Sequence, residues 1–272
     1  MEAVAQQLRN LRHGLLANLP TPLYLVARLV ALSTLDLLSQ GRGRRVQVAG
    51  IYPLQVEWQR SAVDFTTWEA EFIKSFGKAL EETKLVFDIG ASIGEWSALA
   101  ATLVGSKNVH VFEPNLASWK HIQKVFQLNC LPPPAGIFPG FAANSDSFTC
   151  EVLTSAKSLK WPLIAEGAAG FENLSNPKKL PLIKLDTYCE RLGVTPSVIK
   201  IDVEGAEGEV LRGSQNLLEK FHPLIFLSLH PWALKDFSDS KTDLLNWIEN
   251  RGYNCSLLAT EHEEHWFCTP KL

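Results

Sequence analysis

The sequence predicts an α/β protein with a doubly wound, mostly parallel, seven-stranded sheet and an N-terminal helical extension. Two observations lead to this fold class. Beyond Gly50, apolar runs with the composition of buried strands alternate with stretches of helical spacing. Glycines or acids stand where several of these runs end, as in "LVFDIGASIGEW", residues 85–96. Doubly wound sheets produce this alternation and bind ligands beyond the carboxyl ends of their strands.

The first half of the alternation forms a βαβ unit. "KLVFDIG" is a strand and "EWSALAATLV" the helix after it, and "NVHVFEPN" and "LASWKHIQKVFQLN" repeat the order. The prolines of "LPPPAG" predict a loop, and "IFPGFAANS" a third short strand. Residues 146–196 are a long insert, in which "FTCEVL" and "LPLIKLDTY" are expected to form a small hairpin over the sheet edge.

The second half continues the same order. "SVIKIDVEG" and "PLIFLSLHP" are the fourth and fifth strands, with the helical "AEGEVLRGSQNLLEK" between them. "KTDLLNWIENRG" is a further helix, and "YNCSLLAT" and "EHWFCTP" are strands expected to pair antiparallel at an edge. The chain of 272 residues is most simply one α/β domain, residues 61–272, behind a helical extension, residues 1–60.

The extension holds an apolar stretch, "LYLVARLVALSTLDLL", that Arg28 and Asp36 interrupt, so it falls short of the roughly 20 apolar residues of a spanning helix. We expect an amphipathic helix packed on the main domain or on a second subunit of a homo-oligomer, with peripheral membrane contact as the alternative. The leucines expected to be buried are Leu25, Leu29, Leu32 and Leu35. The formal net charge of −3 gives no electrostatic footprint for nucleic acid.

The cysteines bear on the compartment. There are five, an odd number, widely spaced and without a CxxC motif: Cys130, Cys150, Cys189, Cys255 and Cys268. This pattern predicts reduced thiols and a reducing compartment, which favours a cytoplasmic protein.

A bare turn follows the first strand of the βαβ unit. Gly90 and Gly94 lack the Cβ atoms that would keep a ligand from the backbone, and they tolerate turn conformations that other residues resist. A tightly packed strand-to-helix turn without a ligand would explain the same glycines. Glu113, which closes the next strand 25 residues after Asp88, favours the ligand because a carboxylate there can accept hydrogen bonds from both hydroxyls of a ribose.

A further acidic pair ends the fourth strand. Asp202 and Glu204 flank Val203, so on an extended strand end their carboxylates point the same way. They could share a cation or a metal, or orient a substrate hydroxyl, although solvated loop charges would look the same. Because only two clustered acids are visible, no metal is predicted.

The motifs taken together resemble the FkbM-type S-adenosylmethionine-dependent methyltransferases, within the class I Rossmann-like methyltransferases. The matching pieces are "WEAEF", "VFDIGASIGEWSALAA", "VHVFEPN", "ANSD", "IKIDVEGAEGEVLRGS" and "LSLHP", in the family's order from Trp68 to the C-terminus. The family usually has an acid two residues before the last motif's histidine, where this chain has Ser228. The resemblance makes residues 61–272 the FkbM-type methyltransferase domain.

The resemblance implies S-adenosylmethionine as the cofactor, with its ribose on Glu113 and its adenine near Ala142 and Ala143. The predicted cofactor-binding residues are Asp88, Gly90, Ala91, Ser92, Gly94, Glu95, Trp96, Glu113, Pro114, Asn115, Ala142, Ala143 and Asp202. It also implies O-methylation of a hydroxyl on a sugar or natural product, so the expected partner is a small-molecule or glycan acceptor.

The predicted catalytic residues are His230, Asp202 and Glu204. His230 follows the fifth strand, and an imidazole can take a hydroxyl proton near neutrality, although a structural histidine before a proline is the alternative. A nicotinamide dehydrogenase should instead show GxGxxG, which this sequence lacks. A non-catalytic cofactor-binding or scaffold protein with the same fold stays open, because binding residues do not prove turnover.

Overall fold

The computed structural model describes residues 21–147 and 180–271. Its largest sheet has seven strands in the order β10-β11-β9-β8-β3-β4-β5, in which the last five are parallel and β10 and β11 are antiparallel to their neighbours. The predicted mostly parallel, seven-stranded sheet with an antiparallel edge is therefore confirmed. The strands are β1 (Arg44–Val48), β2 (Tyr52–Val56), β3 (Val86–Ile89), β4 (Val109–Phe112), β5 (Gly136–Phe138), β6 (Phe141–Ala142), β7 (Leu182–Ile183), β8 (Val198–Ile201), β9 (Leu224–Leu229), β10 (Tyr253–Thr260) and β11 (Glu264–Pro270).

Helices cover both faces of the sheet. Alternate residues of each central strand point to opposite faces, so in β3 Val86 joins one buried apolar cluster and Phe87 the other. Helices α2 to α4 contribute to the first cluster and α5 to α8 to the second. The helices are α1 (Thr21–Leu38), α2 (Ala70–Leu80), α3 (Glu95–Val104), α4 (Trp119–Leu128), α5 (Leu185–Leu192), α6 (Glu207–Arg212), α7 (Gln215–Phe221) and α8 (Lys241–Glu249).

The predicted helical extension is helical in α1 but not throughout. Residues 44–56 form an antiparallel hairpin of β1 and β2 instead. In β1, Val46 and Val48 are buried while Arg45 and Gln47 are exposed, which is the period of two that a half-buried strand requires. The helical prediction is wrong here because an alternation of only five residues is a weak signal for a strand. The hairpin packs into the same apolar cluster as α2 and α3, and the domain boundary at residue 60 stays a prediction.

Helix α1 buries less than its sequence predicted. Leu32 is buried beside Trp58 and Leu35 packs partly against them, but Leu29 is 64% exposed, so it is not buried on the main domain, and its burial against a second subunit stays a prediction. The side chain of Leu25 lies outside the described residues. Among the helices of residues 21–147 and 180–271, none is long and apolar enough to cross a membrane. Docking of α1 on a membrane or a second subunit stays a prediction.

Two of the cysteines are not reduced thiols. Cys255 in β10 and Cys268 in β11 face each other across the antiparallel pair and form a disulfide. The sequence prediction is wrong for these two because cysteines 13 positions apart give no motif, and only the strand register brings them together. Cys130 and Cys189 are free, and Cys150 lies outside the described residues. The cytoplasmic location stays a prediction.

The long insert is partly described. "FTCEVL" lies outside the described residues, so the predicted hairpin is not seen as such. Its predicted partner, "LPLIKLDTY", contains β7, which pairs in parallel with β6, and the first turn of α5. This small second sheet lies directly after β5 and thus close to the carboxyl edge of the large sheet.

Candidate functional site

A cleft of about 570 Å³ opens where the strand order reverses. From β3 the chain moves outward to β4 and β5, and it then returns to the other side of β3 to form β8 and β9. In doubly wound sheets the ligand crevice lies at this point, outside the carboxyl ends of the strands. The cleft is lined by the turn after β3 and the residues after β4, β8 and β9, and by residues from other segments, among them Arg60, Trp68, Glu69, Ala142 and Glu263.

The turn after β3 has glycines at positions 90 and 94 for a packing reason that the sequence did not reveal. Gly90 has φ +81° and Gly94 φ +86°, conformations that favour glycine. A Cβ on Gly90 would collide with the carbonyl oxygen of Asp202, and one on Gly94 would lie 3.0 Å from Ile122. Both glycines are therefore required by packing, as the ligand-free alternative held. The backbone of this turn nevertheless lines the cleft.

Glu113 is held rigidly at the cleft. One carboxylate oxygen accepts a hydrogen bond from the amide of Ser92 at 2.6 Å, and the other from the amide of Asn115 at 2.7 Å. Burial raises the pKa of Glu113, and the two backbone amides oppose this by stabilising the carboxylate. Each oxygen keeps a second lone pair. The two amides therefore fix the carboxylate in place and leave acceptors that fit a pair of ribose hydroxyls.

Several predicted cofactor residues have other contacts. Asp88, Gly94 and Ala143 are not among the residues that line the cleft. The hydroxyl of Ser97 donates to Asp88, which is 1% exposed. Glu95 lines the cleft, but Arg60 donates to both of its carboxylate oxygens, at 2.7 and 3.0 Å.

The remaining predicted cofactor residues lie at the cleft surface. They are Gly90, Ala91, Ser92, Trp96, Glu113, Pro114, Asn115, Ala142 and Asp202. Their contacts with the cofactor stay predictions.

A buried lysine lies under the centre of the cleft. Lys200 in β8 has its ammonium nitrogen 3.5 Å from Asp88 and 3.2 Å from Asp202, and 5.5 Å from the ring centre of Trp96. Burial alone would lower the pKa of Lys200, but the carboxylates of Asp202, Asp88 and Glu69 outweigh burial and raise it. Sequence reasoning assigned Lys200 no role, although a lysine inside the apolar run "VIKI" was a usable signal.

The three predicted catalytic residues come together at the ends of β8 and β9. The Nε2 atom of His230 lies 3.7 Å from Asp202 and 3.6 Å from Glu204. Its Nδ1 atom lies 2.7 Å from Glu207, and the side chains of His230 and Glu207 are 2% and 0% exposed. Sequence reasoning gave Glu207 no role, because it is the first residue of α6, six positions beyond the end of β8.

The charges around His230 favour its protonated form. Burial lowers the pKa of His230, but the hydrogen bond and charge of Glu207, together with the charges of Asp202 and Glu204, outweigh burial and raise the pKa above its ordinary value. As the neutral base, the ring donates its Nδ1 proton to Glu207, since a carboxylate only accepts. The lone pair of Nε2 then faces the cleft. This arrangement can accept a proton from a bound ligand.

A second polar cluster lies beside the first. It consists of Glu69 before α2, Glu263 before β11 and His265 in β11. Burial raises the pKa of Glu69 to about 8 and lowers the pKa of His265 to about 4. The Oγ atom of Ser228, the residue that stands where the family usually has an acid, lies 3.1 Å from His265 Nδ1. Sequence reasoning missed this cluster because its members are far apart in the chain.

Comparison with known proteins gives the family. The sequence model of the "Methyltransferase FkbM domain" matches residues 88–255, more than half of the chain. Hexuronic acid methyltransferase AglP of Haloferax volcanii is 24% identical over 165 residues, which are 60% of this chain and 62% of that protein. The match thus spans less than two thirds of the relative's length.

Solved structures of methyltransferases match this chain at low similarity. The FkbM methyltransferase of Methylobacillus flagellatus is 17% identical, with 68% of this chain and 43% of that chain covered and a TM-score of 0.45. A methyltransferase of Geobacter sulfurreducens is 11% identical, with 94% and 92% covered and a TM-score of 0.44.

The site and the family match agree on the cofactor. The free lone pairs of Glu113 suit the ribose of S-adenosylmethionine, and the backbone of the turn from Gly90 lies open beside them. The matched span includes both, as well as Asp202 and His230. The chain therefore belongs to the FkbM family of methyltransferases, whose cofactor is S-adenosylmethionine.

Proposed function

We propose that the protein transfers the methyl group of S-adenosylmethionine to a hydroxyl group of a sugar or a natural product. One observation carries this proposal: the buried pair of His230 and Glu207, in which Nδ1 lies 2.7 Å from the carboxylate and Nε2 faces the cleft. An oriented imidazole of this kind is suited to remove a proton from an acceptor. The FkbM family membership supports the same reaction class.

The roles of the residues follow from the chemistry. The cofactor supplies a methyl carbon activated by a positive sulfur, so the chain needs only to align the acceptor and take its proton. A bond forms from the acceptor oxygen to the methyl carbon, the sulfur–methyl bond breaks, and the hydroxyl proton moves to Nε2 of His230. Glu207 holds the imidazole in the required tautomer and stabilises the imidazolium that results.

The cofactor itself would be held mainly by the other end of the cleft. Glu113 would accept the ribose hydroxyls, and the apolar surface near Ala142 would cover the adenine. Asp202 lies between these groups and His230, at the end of β8, and would orient the methionine amino group or the acceptor. Glu204 would hold an acceptor hydroxyl from the open side, where its side chain is 81% exposed.

A hydroxyl is a better acceptor here than a carboxylate. The relative from Haloferax volcanii acts on a hexuronic acid by its name, and such a sugar offers both groups. A carboxylate has already lost its proton at neutral pH, so a base would serve no purpose. The wall that would receive it also carries Asp202 and Glu204, whose charges would repel an anion.

The test is transfer of labelled methyl groups from S-adenosylmethionine to a panel of neutral sugars and hexuronic acids, followed by mild alkali. A methyl ether resists this treatment, whereas a methyl ester is hydrolysed. We expect label that survives alkali. Label that is released by alkali would assign the activity to carboxyl groups, and cofactor binding without transfer to any member of the panel would support the non-catalytic alternative.

A further inference from the structure

We propose that Glu69, Glu263 and His265 form a binding site for one divalent transition-metal cation, on the wall of the cleft beside His230. Each residue offers one ligand atom, and the three atoms lie within 4.8 Å of one another. The residues come from three separate places: the N-cap of α2, the turn before β11, and β11 itself. Two carboxylate oxygens and one imidazole nitrogen make a donor set that suits divalent metals such as Mn²⁺ and Zn²⁺.

Two of these groups have a buried atom without a hydrogen-bond partner. Within the described part of the chain, Oε2 of Glu69 and Nε2 of His265 have no hydrogen-bond partner, although the two residues are only 6% and 0% exposed. Buried polar atoms in folded proteins are nearly always paired, and an unpaired one calls for an explanation such as a bound ion. A cation between the two would satisfy both atoms at once.

The imidazole is held in the orientation that a ligand needs. Nδ1 of His265 lies 3.1 Å from the hydroxyl of Ser228, on the neighbouring strand β9 in register with it. The ring also stacks on Phe72, with centroids 4.6 Å apart and planes 28° apart. When Nδ1 carries the proton and donates it to Ser228, Nε2 presents its lone pair. Metal-binding histidines are commonly fixed by a second contact of this kind.

The surrounding charges leave room for a cation. The nearby ammonium of Lys200 is already balanced, at 3.5 Å from Asp88 and 3.2 Å from Asp202. Among the described residues, no Lys or Arg forms an ion pair with Glu69 or Glu263; Glu263 lies 3.6 Å from the imidazole of His265, and the charges of His230 and His262 also act on it. Both glutamates line the cleft, so a metal with three protein ligands would keep open positions facing it.

The neighbouring cluster of Asp202, Glu204 and His230 is a weaker cation site. Its ligand atoms also lie within 4.8 Å of one another, but the side chain of Glu204 is 81% exposed. Neither Nε2 of His230 nor a carboxylate oxygen of this cluster is a buried atom without a partner. These differences point to the cluster at Glu69 as the one that a metal would occupy.

The experiment measures Mn²⁺ binding to the full chain by electron paramagnetic resonance, after treatment with a chelator and without S-adenosylmethionine. We expect the signal of free Mn²⁺ to be lost up to one equivalent. Glu69→Gln and Glu263→Gln should each weaken binding about tenfold or more, and Ser228→Ala about ten- to a hundredfold through the histidine. Glu261→Gln, an exposed acid two residues from Glu263, is the matched control and should bind as the wild type does.

Each contrary result overturns the proposal. Absence of saturable Mn²⁺ binding would show that the cluster holds no cation. Wild-type affinity for Mn²⁺ in both Glu69→Gln and Glu263→Gln would show the same. Binding lost in Glu204→Gln but kept in Glu263→Gln would move the site to the neighbouring cluster. If Glu69→Gln binds S-adenosylmethionine more weakly but binds Mn²⁺ as the wild type does, the carboxylate of Glu69 contacts the ammonium group of the cofactor instead. Because no methyl transfer is measured, failure here leaves the proposed reaction untouched.

Discussion

The two ends of the cleft are built differently. At the end below β3 and β4, the lining includes the backbone of the turn at Gly90 and the carboxylate of Glu113, whose oxygens accept from two backbone amides. At the end below β8, β9 and β11, the lining is charged side chains, including Asp202, His230 and Glu263. Both oxygens of Glu113 are paired before any ligand arrives, whereas at the second end, within the described residues, Oε2 of Glu69 and Nε2 of His265 are buried without a hydrogen-bond partner.

This difference indicates which end of the cleft can determine selectivity for the acceptor. A rigid site of backbone and one fixed carboxylate suits one constant ligand, because the folded protein already holds it in place and binding does not have to order it. A wall of side chains from separate elements can change residue by residue without disturbing the sheet. We therefore assign the cofactor to the first end and the variable acceptor, with any cation, to the second.

The largest expected effect is the loss of cofactor binding at the first end of the cleft. Gly90→Val should abolish cofactor binding, and it should also lower the melting temperature, because its Cβ would collide with the carbonyl of Asp202 at φ +81°. Gly193→Val is the matched control, since Gly193 has φ +64° but no described atom within 4 Å of its Cβ position. It should lose about 1–3 kcal/mol of stability from backbone strain alone and bind the cofactor.

Calorimetric titration with S-adenosylmethionine, run beside thermal melting, separates the two variants. Normal binding by folded Gly90→Val would show that the turn does not shape the cofactor site. Equal destabilisation of both variants would show that φ alone, and not the contact with Asp202, requires the glycine.

The first end could be predicted from sequence because it is local. The glycines, Glu113 and the two strands before them fall in one short span, so strand and helix periods place them together. Even here the sequence did not reveal why Gly90 is a glycine, because the reason is the backbone of residue 202. Residues that are far apart in the sequence but in contact in the fold give no recognisable pattern in a single sequence.

The second end shows the same limit more strongly. Asp202 and His230 could be placed because each ends a parallel strand of one sheet. Glu69 and His265 could not, since one precedes a helix and the other depends on the antiparallel register of β11 with β9. The Cys255–Cys268 disulfide was missed for the same reason, and the hairpin of β1 and β2 because its alternation is only five residues long in each strand.

The next largest effect is a loss of methyl transfer from a change at the second end alone. His230→Ala should lower the rate of methyl transfer about a hundredfold or more, the usual scale for a lost general base. Its affinity for S-adenosylmethionine should stay unchanged, because Glu113 and the glycine turn hold the cofactor. His222→Asn, an exposed histidine at the opposite end of β9, is the control. Near-full turnover by His230→Ala would remove the imidazole from the mechanism.

A smaller effect measures how much Glu113 contributes at the first end. Glu113→Ala should weaken cofactor binding by about 1.5–3 kcal/mol, the range for hydrogen bonds to a charged group. This corresponds to roughly ten- to a hundredfold in the dissociation constant. The rate at saturating cofactor should change less than the affinity does. Wild-type affinity in a folded Glu113→Ala protein, seen by titration, would show that the ribose does not lie there.

The smallest effect is a shift in the pH dependence of methyl transfer, which distinguishes the carboxylates around His230 at the second end. His230 acts as a base only when it is neutral, and Glu207, Asp202 and Glu204 together raise its pKa above the ordinary value despite burial. The rate at low acceptor concentration should therefore fall as the pH drops through this raised pKa. Since the folded protein holds the proton more tightly than the unfolded chain, the same group stabilises the fold at acidic pH, and this stabilisation is lost as the pH rises through the raised pKa.

The carboxylates around His230 should contribute unequally to this shift. Glu207 is fully buried and 2.7 Å from Nδ1, whereas Glu204 is 81% exposed and 3.6 Å from Nε2, so water screens its charge. Glu207→Gln should move the acidic limb of the pH–rate profile to lower pH, and Glu204→Gln should move it less. A profile unchanged by Glu207→Gln would show that the imidazole does not set this limb. A larger shift from Glu204→Gln would mean that the acceptor closes the cleft over Glu204 and removes the water that screens it.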